Sequence, residues 1–165
     1  MPYSPIKVAN EFLKVARESN PPNPLTPLKL LKLVYMAHGW SLHYFRRPLV
    51  SEQAQAWQYG PVMPSLYFAI KSYRDSPVSS DIVGDNDPQE LAPQDRALIS
   101  AVLRSYGALS GLQLSNMTHT TDTPWFDAWH TNGRNSVIPN DVILRHYDAI
   151  AARKSQNGNS EINAA

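Results

Sequence analysis

Prolines mark the places along this chain where helices are predicted to begin. At three predicted helix starts the proline follows a hydroxyl residue, in the pairs Ser4-Pro5, Thr26-Pro27 and Thr123-Pro124. A Ser or Thr side chain caps the first turn of a helix, and proline is favoured at the first helical position because its missing N–H is not needed there. The 14 prolines therefore divide the chain into helices instead of forming one disordered tract.

The pattern predicts a mainly α protein, a compact bundle of about six helices with a small β-hairpin between the second and third helices. Apolar residues recur at helical spacing after each predicted start. The expected helices run from Pro5 to Glu18 and from Thr26 to about Tyr44, and others begin at Pro64, Pro93, Ser110, Pro124 and Pro139. The segment after Pro124 is expected to hold only one or two turns.

The second helix is apolar around most of its circumference. Leu30, Leu33 and Val34 lie on one stripe, and Tyr35 and Trp40 widen the apolar surface well beyond it. A helix that is apolar on all sides is usually buried. We therefore expect this helix to be the central strut of the fold and the binding surface to lie elsewhere.

Alternating polar and apolar residues follow this helix. The pattern over 53–59 predicts a short hairpin or an extended edge, which Gly60-Pro61 closes. Residues 79–83 are a weaker candidate for one more strand of the same sheet.

The length and composition of the chain set its general class. A chain of 165 residues suits one domain, which we expect over 1–153, followed by a disordered tail over 154–165 that is too polar to offset the entropy cost of ordering. The absence of cysteine excludes disulfides, cysteine nucleophiles and sulfur-ligated metals. The first seven residues do not resemble a secretory signal, and no apolar run approaches the roughly 20 residues that span a bilayer, so we expect a cytoplasmic protein without a membrane partner.

Charge argues against nucleic acid as a partner. The formal net charge is only +1, so there is no strong overall field to attract phosphates. A DNA-binding regulator remains an alternative because Ser110 begins a short helix that could follow a turn. That helix, however, carries no basic residue before His119.

Histidines raise the question of a metal site or a hydrolytic site. His38 and His43 are five residues apart and diverge on a helix, so we expect no metal. His119 and Asp122, with Ser115 nearby, could form a hydrolytic site in a phage or prophage effector enzyme. We favour the alternative, in which Asp122 supports the next helix start and His119 satisfies loop carbonyls, and we expect no catalytic residue, no cofactor and no enzyme.

Bulky rings stand beside rigid turns at two places, around Trp57-Gln58-Tyr59 and at Pro124-Trp125. Exposed Trp and Tyr side chains are preferred anchors for protein partners because they bury large areas while losing few rotatable bonds. Packing inside the core is the competing interpretation for each ring.

Three sequence blocks resemble the Panacea or SocA-like antitoxin domain family. They are TPLKLLKLVYMAHGW over 26–40, AWQYGPV over 56–62, and Pro124-Trp125 after Thr118-His119. The resemblance covers nearly the whole chain, from Ile6 to about Tyr147. It implies a mostly helical domain with a small β element, found in bacteria, prophages and phages, that neutralises a toxin encoded beside it.

The resemblance also implies how such a protein acts. A cognate protein toxin is neutralised by direct protein–protein binding, and members of the SocA branch act as adaptors that deliver the toxin to a ClpXP-type protease. From the placement of the rings and their polar neighbours, we expect the toxin to contact seven residues: Trp57, Tyr59, Tyr67, Lys71, His119, Asp122 and Trp125.

Overall fold

Seven α-helices and a three-stranded sheet make up residues 1–156, the part of the chain that the computed structural model describes. The helices are α1 (Pro5–Glu18), α2 (Pro27–Phe45), α3 (Pro64–Ile70), α4 (Pro93–Tyr106), α5 (Gly111–Thr118), α6 (Pro124–Asn132) and α7 (Asn140–Gln156), and the strands are β1 (Gln55–Trp57), β2 (Gly60–Val62) and β3 (Ser136–Val137). One turn of 3₁₀-helix, Lys71–Tyr73, continues α3. The mainly α class and the hairpin between the second and third helices are confirmed.

Hydroxyl caps fix the starts of several helices. The side chains of Ser4, Thr26 and Thr123 each accept the backbone N–H three residues later, and a proline follows each of them. At α5, the Ser110 hydroxyl and the Gln113 side chain form a reciprocal capping box. These bonds satisfy N–H groups that have no partner within the helix, so local sequence is enough to place the helix starts.

The central element is α2, which contacts α1, α3, α4, α5 and α7. All its residues from Leu30 to Leu42 are buried. Its approach to α7 depends on Gly39, where a Cβ atom would lie 2.3 Å from a ring carbon of Tyr147. The bundle is therefore built around α2, and α7 lies directly against its backbone.

The sheet has the strand order β2-β1-β3, and both pairings are antiparallel. Trp57 stands opposite Gly60 across the turn of the hairpin. The third strand, Ser136–Val137, was not predicted, because its two residues are recognisable only by their pairing with the distant β1. Its preceding loop brings Arg134 beside the hairpin, where the Arg134 Nη2 donates to Gln58.

The prediction of a strand over 79–83 is wrong. This segment runs along α1, where the Ile82 N–H donates to the Asn10 side chain and the Asn10 amide donates back to the Ile82 carbonyl. Because a side chain takes the place of a neighbouring strand at Ile82, the segment stays irregular.

Two helix ends differ from the expectation. α6 has nine residues where one or two turns were expected. α7 extends to Gln156, past the predicted start of the tail at Lys154, and the remaining tail residues, 157–165, lie outside the described residues. The division into one domain and a tail stays a prediction. Within residues 1–156, no helix is long and apolar enough to cross a membrane.

One buried hydroxyl in the core has no hydrogen-bond partner among the described residues, that of Tyr35. An unsatisfied buried polar group costs about 1–3 kcal/mol, so Tyr35→Phe is expected to raise the free energy of unfolding by about 1 kcal/mol. Tyr106→Phe is the matched control. It is expected to lower the free energy of unfolding, because the Tyr106 hydroxyl accepts the Trp40 indole N–H. Urea denaturation measures both, and a loss of stability in Tyr35→Phe would contradict the prediction.

Candidate functional site

A groove of about 250 Å³ opens beside the β1–β2 turn. We call it the hairpin groove. Residues from α2, the hairpin, α3 and the loop before β3 line it, among them Leu28, Leu31, Lys32, Trp57, Tyr59, Tyr67 and Arg134. The groove thus brings together side chains that lie far apart in the sequence.

Aromatic side chains form one wall of the groove and continue onto the surface. The centre of the Trp57 ring lies 4.9 Å from the centre of the Tyr67 ring and 6.0 Å from that of Phe68, and both pairs are edge-to-face. Tyr59 is 64% exposed and Phe68 is 58% exposed. We call Trp57, Tyr59, Tyr67 and Phe68 the aromatic patch. At its margin, the Lys71 ammonium lies 5.2 Å from the centre of the Phe68 ring, which places a cation beside the exposed rings.

Lys32 forms the floor of the groove. Its side chain is fully buried, and the Nζ atom donates to the Pro61 carbonyl at 3.1 Å. Burial lowers the pKa of Lys32 from 10.5 to about 7, because the surroundings disfavour the charged ammonium. Among the described residues, no carboxylate forms an ion pair with it.

Gly60 allows the hairpin to lie directly on Lys32. Its φ of +113° is in the region that favours glycine, and a Cβ atom there would lie 2.9 Å from Cε of Lys32. A larger residue would therefore strain the turn and push it away from the lysine.

His119 and Trp125 support the hairpin from behind. Trp125 is only 6% exposed, and its indole N–H donates to the Trp57 carbonyl at 2.6 Å. The His119 ring packs edge-on against Trp125, 5.0 Å between centres, and its Nδ1 is hydrogen-bonded to the Ser115 carbonyl. The Ser115 hydroxyl donates to the Tyr59 carbonyl. These contacts hold the backbone of the hairpin in place.

Asp122 lies apart from the other candidates. Its φ is +66°, and it borders a separate depression between α6 and α7 that includes Arg145. Among the described residues, no hydrogen bond joins Asp122 to His119. The Ser115 hydroxyl lies 3.4 Å from His119 Nδ1 but donates to the Tyr59 carbonyl, and Asp122 does not reach the ring, so these three residues are not arranged as the relay of a hydrolytic site. The start of α6 is capped by Thr123.

The histidines do not gather around one point. His38 is buried, its Nε2 bonds to the Asn140 side chain at 2.8 Å, and burial lowers its pKa to about 4. The Val50 N–H donates to its other ring nitrogen, so the neutral ring is held between two partners. Within residues 1–156, no group of three or more histidine or carboxylate side chains could hold a metal ion.

Three residues that matter for the groove and the aromatic patch were not among the predicted contact residues: Lys32, Phe68 and Arg134. Lys32 carried a signal, since it is a lysine on a helix that is otherwise apolar on all sides. Phe68 could be placed on the third helix, but its outward direction could not. Arg134 gave no signal, because its position depends on the unpredicted strand β3.

Comparison with known proteins gives matches over much of the chain. The profile of the family described as "Antitoxin SocA-like, Panacea domain" matches residues 30–126. The chain is 33% identical over 110 residues to Antitoxin SocA of Caulobacter vibrioides (strain NA1000 / CB15N), an alignment that covers 62% of this chain and 58% of that relative. The chain thus spans less than two thirds of this curated relative. No solved structure matches it. The family match includes the hairpin and Lys32 but ends before Arg134.

Proposed function

Because the chain belongs to the SocA-like antitoxin, Panacea domain family, we propose that it neutralises a cognate protein toxin by binding it directly at the hairpin groove and the aromatic patch. The name of the Caulobacter relative, Antitoxin SocA, supports the same role. The toxin is a protein whose active surface the antitoxin covers.

The observation that carries this proposal is the exposure of Tyr59 and Phe68 on a rigid support. Large rings that stand in water gain free energy when a partner covers them, and they lose few rotatable bonds in doing so. The hairpin beneath Tyr59 is held by Trp125 and Ser115, so little ordering is needed on binding. Lys71 adds a polar rim.

The seven predicted contact residues divide into three groups. Trp57, Tyr59, Tyr67 and Lys71 would contact the toxin, since the first three line the groove and Lys71 lies at the margin of the patch. His119 and Trp125 would act indirectly by supporting the hairpin. Asp122 would take no part, because it borders another depression.

Binding alone can account for neutralisation. Specific interfaces typically bury about 1,600 Å² in total, and tight complexes of that size need no chemical step. When a toxin loop binds the aromatic patch, the antitoxin would cover the toxin's active surface or would hold the toxin in an inactive conformation.

Co-expression with the product of the adjacent gene tests the proposal. If that product is toxic alone, the wild-type chain is expected to restore growth. The double variant Tyr59→Ala, Phe68→Ala is expected to lose rescue and to weaken binding about 100-fold, because two anchoring rings are removed. Isothermal titration of the purified pair measures the affinity.

Tyr44→Ala is the matched control, since Tyr44 is also a partly exposed tyrosine but lies at the end of α2, stacked on Trp40. It is expected to bind the toxin as the wild type does. Full binding by a folded Tyr59→Ala, Phe68→Ala variant would refute the proposed surface. Rescue in a strain without ClpXP-type protease separates occlusion from delivery, and we expect rescue to persist there.

A further inference from the structure

We infer that the hairpin groove is a carboxylate-binding site, which takes an aspartate or glutamate side chain from an acidic segment of the toxin between Arg134 at its rim and Lys32 at its floor. This inference rests on the proposed function, because it names the chemistry of the partner at the same surface.

The groove carries positive charge without a counter-charge. Its ionisable lining residues are both basic: Arg134 carries a charge, Lys32 with a pKa of about 7 can gain a proton beside an anion, and no carboxylate lines the groove. Within residues 1–156, the Arg134 guanidinium has two neutral partners, the Gln58 side chain at 3.3 Å and the Trp129 ring, whose centre is 5.7 Å away, and it forms no ion pair. Since the net charge of the chain is only +1, this is a local excess, and an anionic group is the complement.

Several cations elsewhere on the molecule have carboxylate partners. Arg46 pairs with Asp148, Lys7 pairs with Asp85, and the partly buried Arg47 pairs with Asp95. The chain therefore supplies acidic partners at other positions and leaves the groove without one. A partner's carboxylate would complete the same kind of pair there.

The surroundings of Lys32 offer its ammonium few acceptors. Another lysine of α2, Lys29, has two acceptors for its ammonium, the Asn23 side chain and the Gly107 carbonyl. Lys32 is more deeply buried, and among the described residues its ammonium has one acceptor, the Pro61 carbonyl. A buried ammonium needs a nearby negative charge or several acceptors, and a carboxylate in the groove would supply that charge across the floor.

The volume and apolar lining of the groove favour a side chain of a polypeptide. At about 250 Å³ it is smaller than most cofactor or drug-sized pockets, which occupy roughly 300–1,000 Å³. Leu28, Leu31 and Trp57 offer an apolar wall for the residue next to the carboxylate. The groove thus suits an acidic residue beside an aliphatic or aromatic one.

The two basic residues of the groove differ in their relation to the family match. Lys32 and the hairpin lie inside the matched region, residues 30–126, whereas Arg134 lies outside it.

Charge reversal tests the inference with the product of the adjacent gene as the probe. Arg134→Glu is expected to weaken binding at least about tenfold, because it places a carboxylate against a carboxylate, while Arg134→Lys retains most of the affinity. Arg104→Glu is the control, an exposed arginine on α4 that lines a different depression, and it is expected to leave affinity unchanged. Isothermal titration gives the dissociation constants.

Toxin variants that regain binding to Arg134→Glu identify the partner residue. The inference predicts that an Asp or Glu of the toxin has changed to Lys or Arg. Wild-type affinity of Arg134→Glu would overturn the inference and leave the proposed function standing, whereas absence of any complex with the wild-type chain would overturn both. Loss of binding to a 20-base-pair DNA duplex in Arg134→Glu, with toxin binding unchanged, would assign the groove to nucleic acid and overturn it too.

Discussion

Replacing Lys32 with methionine is expected to make the protein more stable than the wild type at pH 7 and less stable above pH 10. At pH 7 the wild type must hold a buried amine whose pKa has fallen from 10.5 to about 7. This shift costs about 4 kcal/mol of folding free energy at that pH. Methionine has a similar length and no charge, so the variant avoids this cost.

Wild-type stability is expected to rise with pH because the unfolded chain binds a proton at Lys32 that the folded chain does not. Between pH 7 and 10.5 the unfolded lysine is protonated and the folded one is not, so wild-type stability rises with pH by about 4 kcal/mol. Methionine does not titrate. The variant also leaves the Pro61 carbonyl without its donor, which costs about 1–3 kcal/mol at every pH. The net gain at pH 7 is therefore about 2 kcal/mol, and it reverses in alkali.

Urea denaturation of both proteins at pH 7, 8.5 and 10.5 measures this difference. Lys71→Met is the control, because Lys71 is exposed and its substitution is expected to change stability by less than about 0.5 kcal/mol at each pH. A difference between Lys32→Met and the wild type that stays constant with pH would show that Lys32 keeps its charge in the folded protein.

Helix starts were predictable because their causes are local. Ser4, Thr26 and Thr123 bond to N–H groups three residues away, so no distant part of the chain is needed to recognise them. The opposite holds for β3, whose two residues become a strand only by pairing with β1, about 80 positions earlier. The prediction of a strand over 79–83 was wrong for a related reason, since the side chain of the distant Asn10 bonds to the backbone of this segment.

The sequence predicted several of the aromatic residues at the candidate site, but not which of them are exposed and which support the hairpin from inside. Tyr59 and Trp125 looked equivalent in sequence, each a ring beside a proline or glycine turn. In the structure Tyr59 is exposed, whereas Trp125 lies behind the hairpin with its N–H on the Trp57 carbonyl. Which ring faces water depends on how α6 packs against β1, and that contact is set by tertiary structure.

The largest loss of stability is expected at Asp95. Its carboxylate is buried in the first turn of α4, where it accepts the Tyr3 hydroxyl and an Arg47 N–H, both at 2.8 Å. The Tyr3 hydroxyl in turn accepts the Ala92 N–H. One side chain thus ties the N-terminal segment, the loop after α2 and the start of α4 together.

Asp95→Ala is expected to lower the free energy of unfolding by about 3–5 kcal/mol. Removing the buried Asp95 carboxylate takes the anionic partner from the partly buried Arg47 and the acceptor from the Tyr3 hydroxyl. Thermal and urea denaturation at pH 7 measure the loss. Asp75→Ala, at an exposed aspartate, is the control and is expected to change stability by less than about 0.5 kcal/mol.

A double variant separates the two parts of this network. Adding Arg47→Met to Asp95→Ala removes the uncompensated charge, so the double variant is expected to be more stable than Asp95→Ala alone, although it still lacks the acceptor for Tyr3. With Arg47→Met as the second single variant, the loss in the double variant minus the sum of the two single losses gives the coupling energy of the ion pair. If the two substitutions simply add, Arg47 stays solvated when Asp95 is absent, and the stability at this position depends on Tyr3 alone.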